Sequence, residues 1–319
     1  HIFEGGWVFL GMDSQAAEKH SYFTVTIGHT PIVVMRDGEG TLGAFVNACP
    51  HKGALICHRR TGKGRLHVCR YHSWSFDSAG RNVAVKGMNA GAYSEEFIGR
   101  DRNLPRLPAF ANYRGFLFGS LVPTCPIEEH LGEARRLLDL SADQGEGGLE
   151  LVPGEIVFTF DGNWKYQLEN CSDAYHFTSA HPSYIRLLDK RAKERRAESV
   201  RSIWEKDKNW SEEAEGITGG SYSFDEGHVL NWGLIGVSDA VPLFERAEIL
   251  AERYGAARRD WMFNMRNLTI FPNLQLAENA SSQLRIIRPL AANKTEMRTF
   301  CIAPRGESAE ARRQRIRNY

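Results

Sequence analysis

Four residues pose the first chemical question. Cys49-Pro-His51 is followed, after seventeen intervening residues, by Cys69-Arg-Tyr-His72, so two short stretches each supply one thiol and one imidazole. In a chain with 6 cysteines and 11 histidines among 319 residues, such mixed pairs point to a bound metal before they point to packing. Zinc sites usually separate paired cysteines by two or more residues and take their histidines as a pair from a helix. One sulfur and one nitrogen from each stretch suit a centre that holds two unlike metal ions. A zinc site and four unrelated core residues are the alternatives.

A Rieske [2Fe-2S] centre meets that description, because two His replace two Cys on one of its irons and the neutral imidazoles raise its potential. Cys49, His51, Cys69 and His72 are therefore the expected cluster ligands, with backbone amides near Gly53 expected to hydrogen-bond the sulfurs. The other cysteines keep plainer readings. Cys57, Cys125 and Cys301 read as buried small hydrophobes, and Cys171 has no base or oxyanion device beside it in sequence. His58, next to Arg59 and Arg60, reads as exposed, and His67 as facing outward or toward the cluster.

The second concentration of polar groups runs from Glu169 to His181, within Asn163 to Pro182. At about 100° per residue, Glu169, Asp173 and His176 fall within roughly 60° of one another on a helix. His181 would lie about 140° from His176 on the same helix, so both imidazoles reach one ion only if the helix breaks between them. Pro182 makes a break just ahead of it plausible, since a proline pushes the preceding residue out of the helical region. Two His plus a carboxylate, with positions left open, is the ligand set of non-haem Fe(II) oxygenases. A hydrogen-bonded cluster without metal is the alternative. Asp173, three residues before His176, is better placed to orient that imidazole than to bind metal.

These groups need rigid supports. From Tyr22 to about Leu121 strand follows strand: Pro31 to Arg36 and Thr41 to Val46 flank Asp37-Gly-Glu-Gly40 as a hairpin, and His67 to Val85 repeats the pattern around Asp77-Ser-Ala-Gly80. Gly115 to Leu121 reads as a buried strand. Beyond Pro123 the texture is α+β. Helices are expected over Ile127 to Leu140, Asn163 to Thr178 and Val241 to Tyr254, the last with Leu243, Phe244, Ala247, Leu250 and Ala251 on one face. Strands are expected at Ile156 to Phe160, Leu268 to Phe271, Gln283 to Ile287 and Thr299 to Ile302. The expected organisation is α+β: an all-β cluster-binding domain over 1–120, then a catalytic domain over 121–319 with an antiparallel sheet covered by helices.

Composition bounds the partners. Forty basic residues against 39 acidic ones leave a formal charge of +1, so no global field draws the chain to nucleic acid or an anionic membrane. Six unevenly spaced cysteines in so long a chain argue against a disulfide framework and for a reducing compartment, the cytoplasm. The first ten residues have neither a basic segment nor a long apolar one, and read as neither a secretion signal nor a membrane span. With no initiating Met and an uncapped charged helix at Ala311 to Tyr319, both ends are read as incomplete. The charged stretch from Lys190 to Lys208 reads as a solvated face, or as a cationic rim that attracts an anionic substrate.

Taken together, Cys49-x-His51…Cys69-x-x-His72-x-Trp74 and Glu169-Asn170-x-x-Asp173-x-Tyr175-His176-x-x-x-x-His181 resemble the large (α) subunit of Rieske non-haem iron ring-hydroxylating oxygenases. The resemblance covers nearly the whole chain. Phrases such as Val46-Asn-Ala-Cys-Pro-His51, Tyr113-Arg-Gly-Phe-Leu-Phe-Gly-Ser-Leu121, Gly162-Asn-Trp-Lys165 and Ser282-Gln-Leu-Arg-Ile-Ile-Arg-Pro289 look most like the benzoate, toluate and anthranilate dioxygenase branch. That resemblance implies an aromatic-acid substrate, O2, and electrons passing from NADH through a reductase or ferredoxin to the cluster and on to a mononuclear Fe(II) held by His176 and His181. It also implies an α3β3 assembly with small β subunits, or α3, in which Asp173 bonds His176 and reaches toward His72 of the next copy. Two departures stand out: Lys52 where Arg usually follows the first cluster His, and Ser73 where Gly or Ala is commoner. The family's third iron ligand is an Asp. No Asp follows Asp260, and Glu307 and Glu310 are poor substitutes, so that ligand is expected beyond Tyr319. A salicylate-type monohydroxylase and a Rieske electron carrier without oxygenase activity are the competing functions. Arg186 and Arg266 are candidates for the grip on a substrate carboxylate.

Overall fold

A computed structural model describes residues 2–173, 175–183, 186, 190, 219–239, 241–278 and 281–319. The chain forms two compact units, His1–Ile127 and Glu128–Tyr319.

In the first unit, ten strands form three small sheets: β1 (Val8–Met12), β2 (Ser21–Ile27), β3 (Thr30–Arg36), β4 (Leu42–Val46), β5 (Thr61–Lys63), β6 (Leu66–Val68), β7 (Ser75–Asp77), β8 (Asn82–Ala84), β9 (Ala109–Tyr113) and β10 (Phe116–Ser120). The sheets run β4-β3-β2-β5, β1-β10-β9 and β6-β7-β8. The apolar run of β3 is explained by burial on both faces. Successive strand side chains point to opposite sides. Ile32 and Val34 join Val8, Leu10 and Leu117 in one core, while Val33 and Met35 join Phe45, Cys49, Cys69, Trp74 and Phe76 in another. The second core thus holds two of the expected cluster ligands together with side chains of a rigid strand.

Both expected hairpins are present. Arg36 pairs with Leu42, and the Asp37 carboxylate accepts from the amides of Glu39 (2.9 Å) and Thr41 (2.8 Å). Asp77 does the same for Ala79 and Arg81, both at 2.9 Å. In this second turn Gly80 has φ +76°, and a Cβ there would lie 2.4 Å from the Phe45 ring, so glycine is required on both counts.

The second unit centres on an antiparallel sheet of β11 (Leu149–Leu151), β12 (Ile156–Phe160), β13 (Gly219–Ser223), β14 (Val229–Gly233), β15 (Met265–Ile270), β16 (Leu274–Glu278), β17 (Ser282–Ala291) and β18 (Lys294–Pro304). The order is β11-β18-β17-β16-β15-β14-β13, and β12 also pairs with β18. The expected fold of antiparallel sheet and covering helices is what forms. One expected face shifts: a 3-10 turn occupies Pro242–Arg246 before the helix Ala247–Tyr254 begins. With three residues per turn there, Leu243 stays in the core with Ala247 and Leu250, but Phe244 rotates out and is 48% exposed. Among the described residues no helix is long and apolar enough to cross a membrane.

Candidate metal centres

In the first unit, two loops carry the thiol and imidazole pairs, and they share one backbone frame. The Gly53 amide donates to the Cys49 carbonyl (2.8 Å) and the Cys49 amide to the Ala54 carbonyl (2.7 Å). In the other loop Ser73 donates to Cys69 (3.0 Å) and Cys69 to Trp74 (2.8 Å). The residue closing each turn is left-handed, Gly53 at φ +74° and Ser73 at φ +58°. Both cysteines are buried, 2% and 3% exposed, and their thiols are neighbours. Burial pushes the Cys49 thiol up, while amides of His51 and Lys52 pull the other way. These two amides lie just before Gly53, within the stretch expected to serve the sulfurs, while the Gly53 amide itself closes the turn.

The imidazoles converge as well. The His51 and His72 rings lie 4.7 Å apart, and Trp74 stacks on His51 at 5.1 Å with planes 10° apart. Loss of hydration, with His72 and Lys52 nearby, holds His51 below its ordinary value and so in the neutral form that binds metal. Two buried thiols beside two converging imidazoles fit a [2Fe-2S] cluster with unlike irons. Sequence reading missed Asn47, 2% exposed, whose amide group exchanges hydrogen bonds with the Cys57 backbone (2.8 and 2.9 Å) and so braces the first loop. Of the two readings for His67 the outward one fails: it is 8% exposed and turned to the Cys57 sulfur at 3.5 Å, in the core that also holds Cys49 and Cys69; Cys125, expected to be buried, is only half-buried.

In the second unit, the helix Trp164–Ser172 carries the second constellation. Asn163 caps its start by accepting from Lys165 (3.2 Å). Its end is fixed from the sheet: Gln275 donates to the carbonyls of Gln167 (2.9 Å) and Leu168 (3.2 Å), and Asn231 donates to that of Cys171 (2.8 Å). Side chains thus satisfy carbonyls of the last helical turns. The helix ends at Asp173, extended at φ −117° and ψ 119°, earlier than the expected break before Pro182. The Asp173 carboxylate restarts the chain as a turn by accepting from the Tyr175 amide (2.7 Å).

The early break brings the two histidines together. His176 and His181 approach at 3.1 Å between their Nε2 atoms. His176 Nδ1 lies 3.1 Å from Asp173 Oδ2, and Asn170 Nδ2 lies 3.1 Å from His176 Nε2. The Tyr175 amide first, and then His176, hold the Asp173 carboxyl below its usual range, while burial pushes His181 down. An ionised acceptor at Nδ1 fixes the His176 tautomer with Nε2 as the acceptor, facing His181 and the Asn170 amide. A cavity of ≈ 390 Å³ opens here, lined by Tyr166, Glu169, Asn170, Ser172, Asp173 and His176. The pair of imidazoles, with a carboxylate behind one of them, fits a mononuclear iron with open positions. Among the described residues no group of three His, Cys, Asp or Glu side chains has the geometry of a single-ion site.

Other candidates are placed differently. The Glu307 side chain is 1% exposed and ion-paired with both Arg312 and Arg315. Arg266 is 1% exposed and paired with Glu278 at 2.8 Å, so it is not available to a substrate carboxylate. Arg186 and Lys190 are exposed, and 191–218, which holds the rest of the cationic stretch, lies outside the described residues.

Two family patterns match the chain: the Rieske [2Fe-2S] domain over residues 6–108 and the ring hydroxylating alpha subunit (catalytic domain) over residues 140–318. Toluate 1,2-dioxygenase subunit alpha of Pseudomonas putida is 40% identical over 322 residues, which span all of this chain and 69% of that protein. Anthranilate 1,2-dioxygenase large subunit of Acinetobacter baylyi is 38% identical over 324 residues, with all of this chain and 68% of that protein covered. A crystal structure of a naphthalene 1,2-dioxygenase variant bound to phenanthrene superposes with a TM-score of 0.81 at 26% identity, over 99% of this chain and 70% of that one.

Proposed function

Since the chain belongs to the α subunits of Rieske non-haem iron ring-hydroxylating dioxygenases, we propose that it is the terminal oxygenase for an aromatic carboxylic acid, giving a cis-dihydrodiol. The substrate class rests on the relatives that act on toluate and anthranilate. The proposed electron source is NADH through a reductase or ferredoxin, and the proposed assembly includes a small β subunit. Six free cysteines agree with a reducing, cytoplasmic setting.

Cys49, His51, Cys69 and His72 are the proposed cluster ligands, and His176 and His181 the proposed ligands of the mononuclear iron. When bound, the two groups supply single electrons and the reductive activation of O2. The protein's own part is positional. Asp173 holds the proton at His176 Nδ1 and leaves Nε2 to face His181; this contact supports the reading most directly. Asn170 keeps an amide beside the same Nε2. Burial of Cys49 and Cys69 keeps water from the sulfurs, and Trp74 limits rotation of the His51 ring.

The test is turnover of benzoate, anthranilate and salicylate under labelled O2 by the complete protein with its reductase. Both labelled atoms are expected in one product. A single labelled atom would indicate a monohydroxylase, and absence of label from every product would refute oxygenase action. Iron content gives a second reading: about three irons per chain for the oxygenase, about two for an electron carrier.

A further inference from the structure

The arginines of the central strands differ in one respect. Arg266 pairs with Glu278, Arg288 with Glu296 and Arg298 with Glu155. Arg285 has no carboxylate partner among the described residues. Its cross-strand neighbours, Gln275 on β16 and Thr299 on β18, are both neutral. Its guanidinium donates to Gln283 Oε1 from Nε (3.1 Å) and Nη2 (2.8 Å), and to the Cys171 sulfur from Nη1 (3.6 Å). A cation with weak neutral partners inside a folded unit retains most of its capacity to bind an anion.

Arg285 also lines a cavity. The space measures ≈ 300 Å³, with Arg285, Gln283 and Asn170 among its polar lining and Ile156, Phe158 and Met297 among its apolar lining. That volume is at the lower end of those that hold small organic ligands. One charged polar end and one apolar wall match an aromatic ring bearing a carboxylate. Asn170 ties this cavity to the histidine pair, since it lines both hollows and its Nδ2 lies 3.1 Å from His176 Nε2.

We infer that Arg285 is the residue that selects a carboxylate on the aromatic substrate, with Gln283 holding its guanidinium in place. This rests on the proposed action on aromatic acids and adds the group that recognises the charge. The anion would take the Nη donors, replacing the weak contact to Cys171. A ring anchored there extends along the apolar wall, with Asn170 between it and the imidazoles.

The test uses the complete protein with its partner subunits and measures benzoate binding by equilibrium dialysis alongside KM and kcat. Arg285→Gln is expected to raise the dissociation constant and KM for benzoate about ten- to a hundredfold, the loss typical of a charge-assisted contact. Binding of neutral benzamide should change little, and Arg285→Lys should recover part of the benzoate affinity. Gln283→Glu supplies an internal carboxylate to Arg285 and is expected to weaken benzoate binding with the arginine intact, which keeps the test usable if Arg285→Gln does not fold. Benzoate affinity unchanged in Gln283→Glu and in folded Arg285→Gln, with iron content retained, would overturn the inference while leaving the oxygenase reading in place. Charge-selective binding through Arg285 in a protein that oxygenates no aromatic acid would do the reverse.

Discussion

Arg266 and Arg285 lie on nearby strands, and the structure gives them opposite tasks. Arg266 Nη2 meets Glu278 Oε2 at 2.8 Å, directly across from it in the β15–β16 register. Glu278 is further held by Ser141 (2.5 Å) and Gln144 (2.7 Å), and Arg266 also donates to the Trp261 carbonyl. With side-chain exposures of 1% and 8%, neither charge has water as an alternative partner. Arg266→Met would leave the Glu278 carboxylate buried without its cation, at a cost of about 3–5 kcal/mol. For a unit of this size each kcal/mol lowers Tm by about 2–4 °C, which gives a fall of roughly 6–20 °C. The double variant Arg266→Met, Glu278→Leu should recover most of that loss, because removing both charges removes the desolvation penalty as well. Calorimetric melts of the wild type, both single variants and the double variant check the cycle. At a temperature where the variants stay folded, KM for an aromatic acid should change less than about twofold, below the loss of even one charged contact. A native Tm in Arg266→Met together with a sharply raised KM would refute the reasoning and make Arg266 the substrate's partner.

Asp173→Asn keeps an acceptor for the Tyr175 amide but removes the charge behind His176, so iron content should hold while electron delivery slows about ten- to a hundredfold, read by single-turnover oxidation of the reduced cluster. Loss of the mononuclear iron in that variant would make Asp173 a ligand. Burial and the neighbouring His228 push His130 down to about 4, so between about pH 6.5 and pH 4 the unfolded chain takes up a proton that the folded one refuses. Stability should therefore fall as pH drops through that window, by up to about 3 kcal/mol from this residue. Urea unfolding at pH 7 and pH 4.5 measures the fall, and His130→Phe should reduce it by this residue's share, leaving the part due to His228 and His67.

What was legible in the sequence was what neighbours in the chain decide. The Asp37 and Asp77 turns formed because one carboxylate can reach the amides two and four residues on. Strand β12 falls on the expected Ile156–Phe160, where apolar and β-branched residues follow one another. Several missed features involve partners in another element of the same unit. Gln275 and Asn231 hold the helix end at Ser172, and Glu278 silences Arg266; none of these three partners is marked by local spacing. The helix was expected to run to Thr178, and the device that ends it is the local one of the hairpins: Asp173 turns its carboxylate to the amide two residues on, which the helical spacing of Glu169, Asp173 and His176 gave no reason to prefer.

The two cluster loops show how a spacing that looks irregular follows from a repeated backbone. Each cysteine carbonyl accepts from the residue four positions on, and each cysteine amide donates to the carbonyl five positions on. Within this common frame the imidazole comes from the second residue after Cys49 and the third after Cys69. Two copies of one turn with the histidine at the same position would present it at the same place in each frame. Moving it by one residue lets the His51 and His72 rings meet at 4.7 Å, 81° apart, rather than as equivalent rings. The frame also shows how Ser73 is held in place of the commoner residues there. The closing residue is left-handed, a conformation free to glycine and costly to a residue with a Cβ. Gly53 meets that demand without strain, and Ser73 meets it at φ +58° because the hydrogen bonds on either side of it, from its own amide and to the Trp74 carbonyl, hold the turn closed.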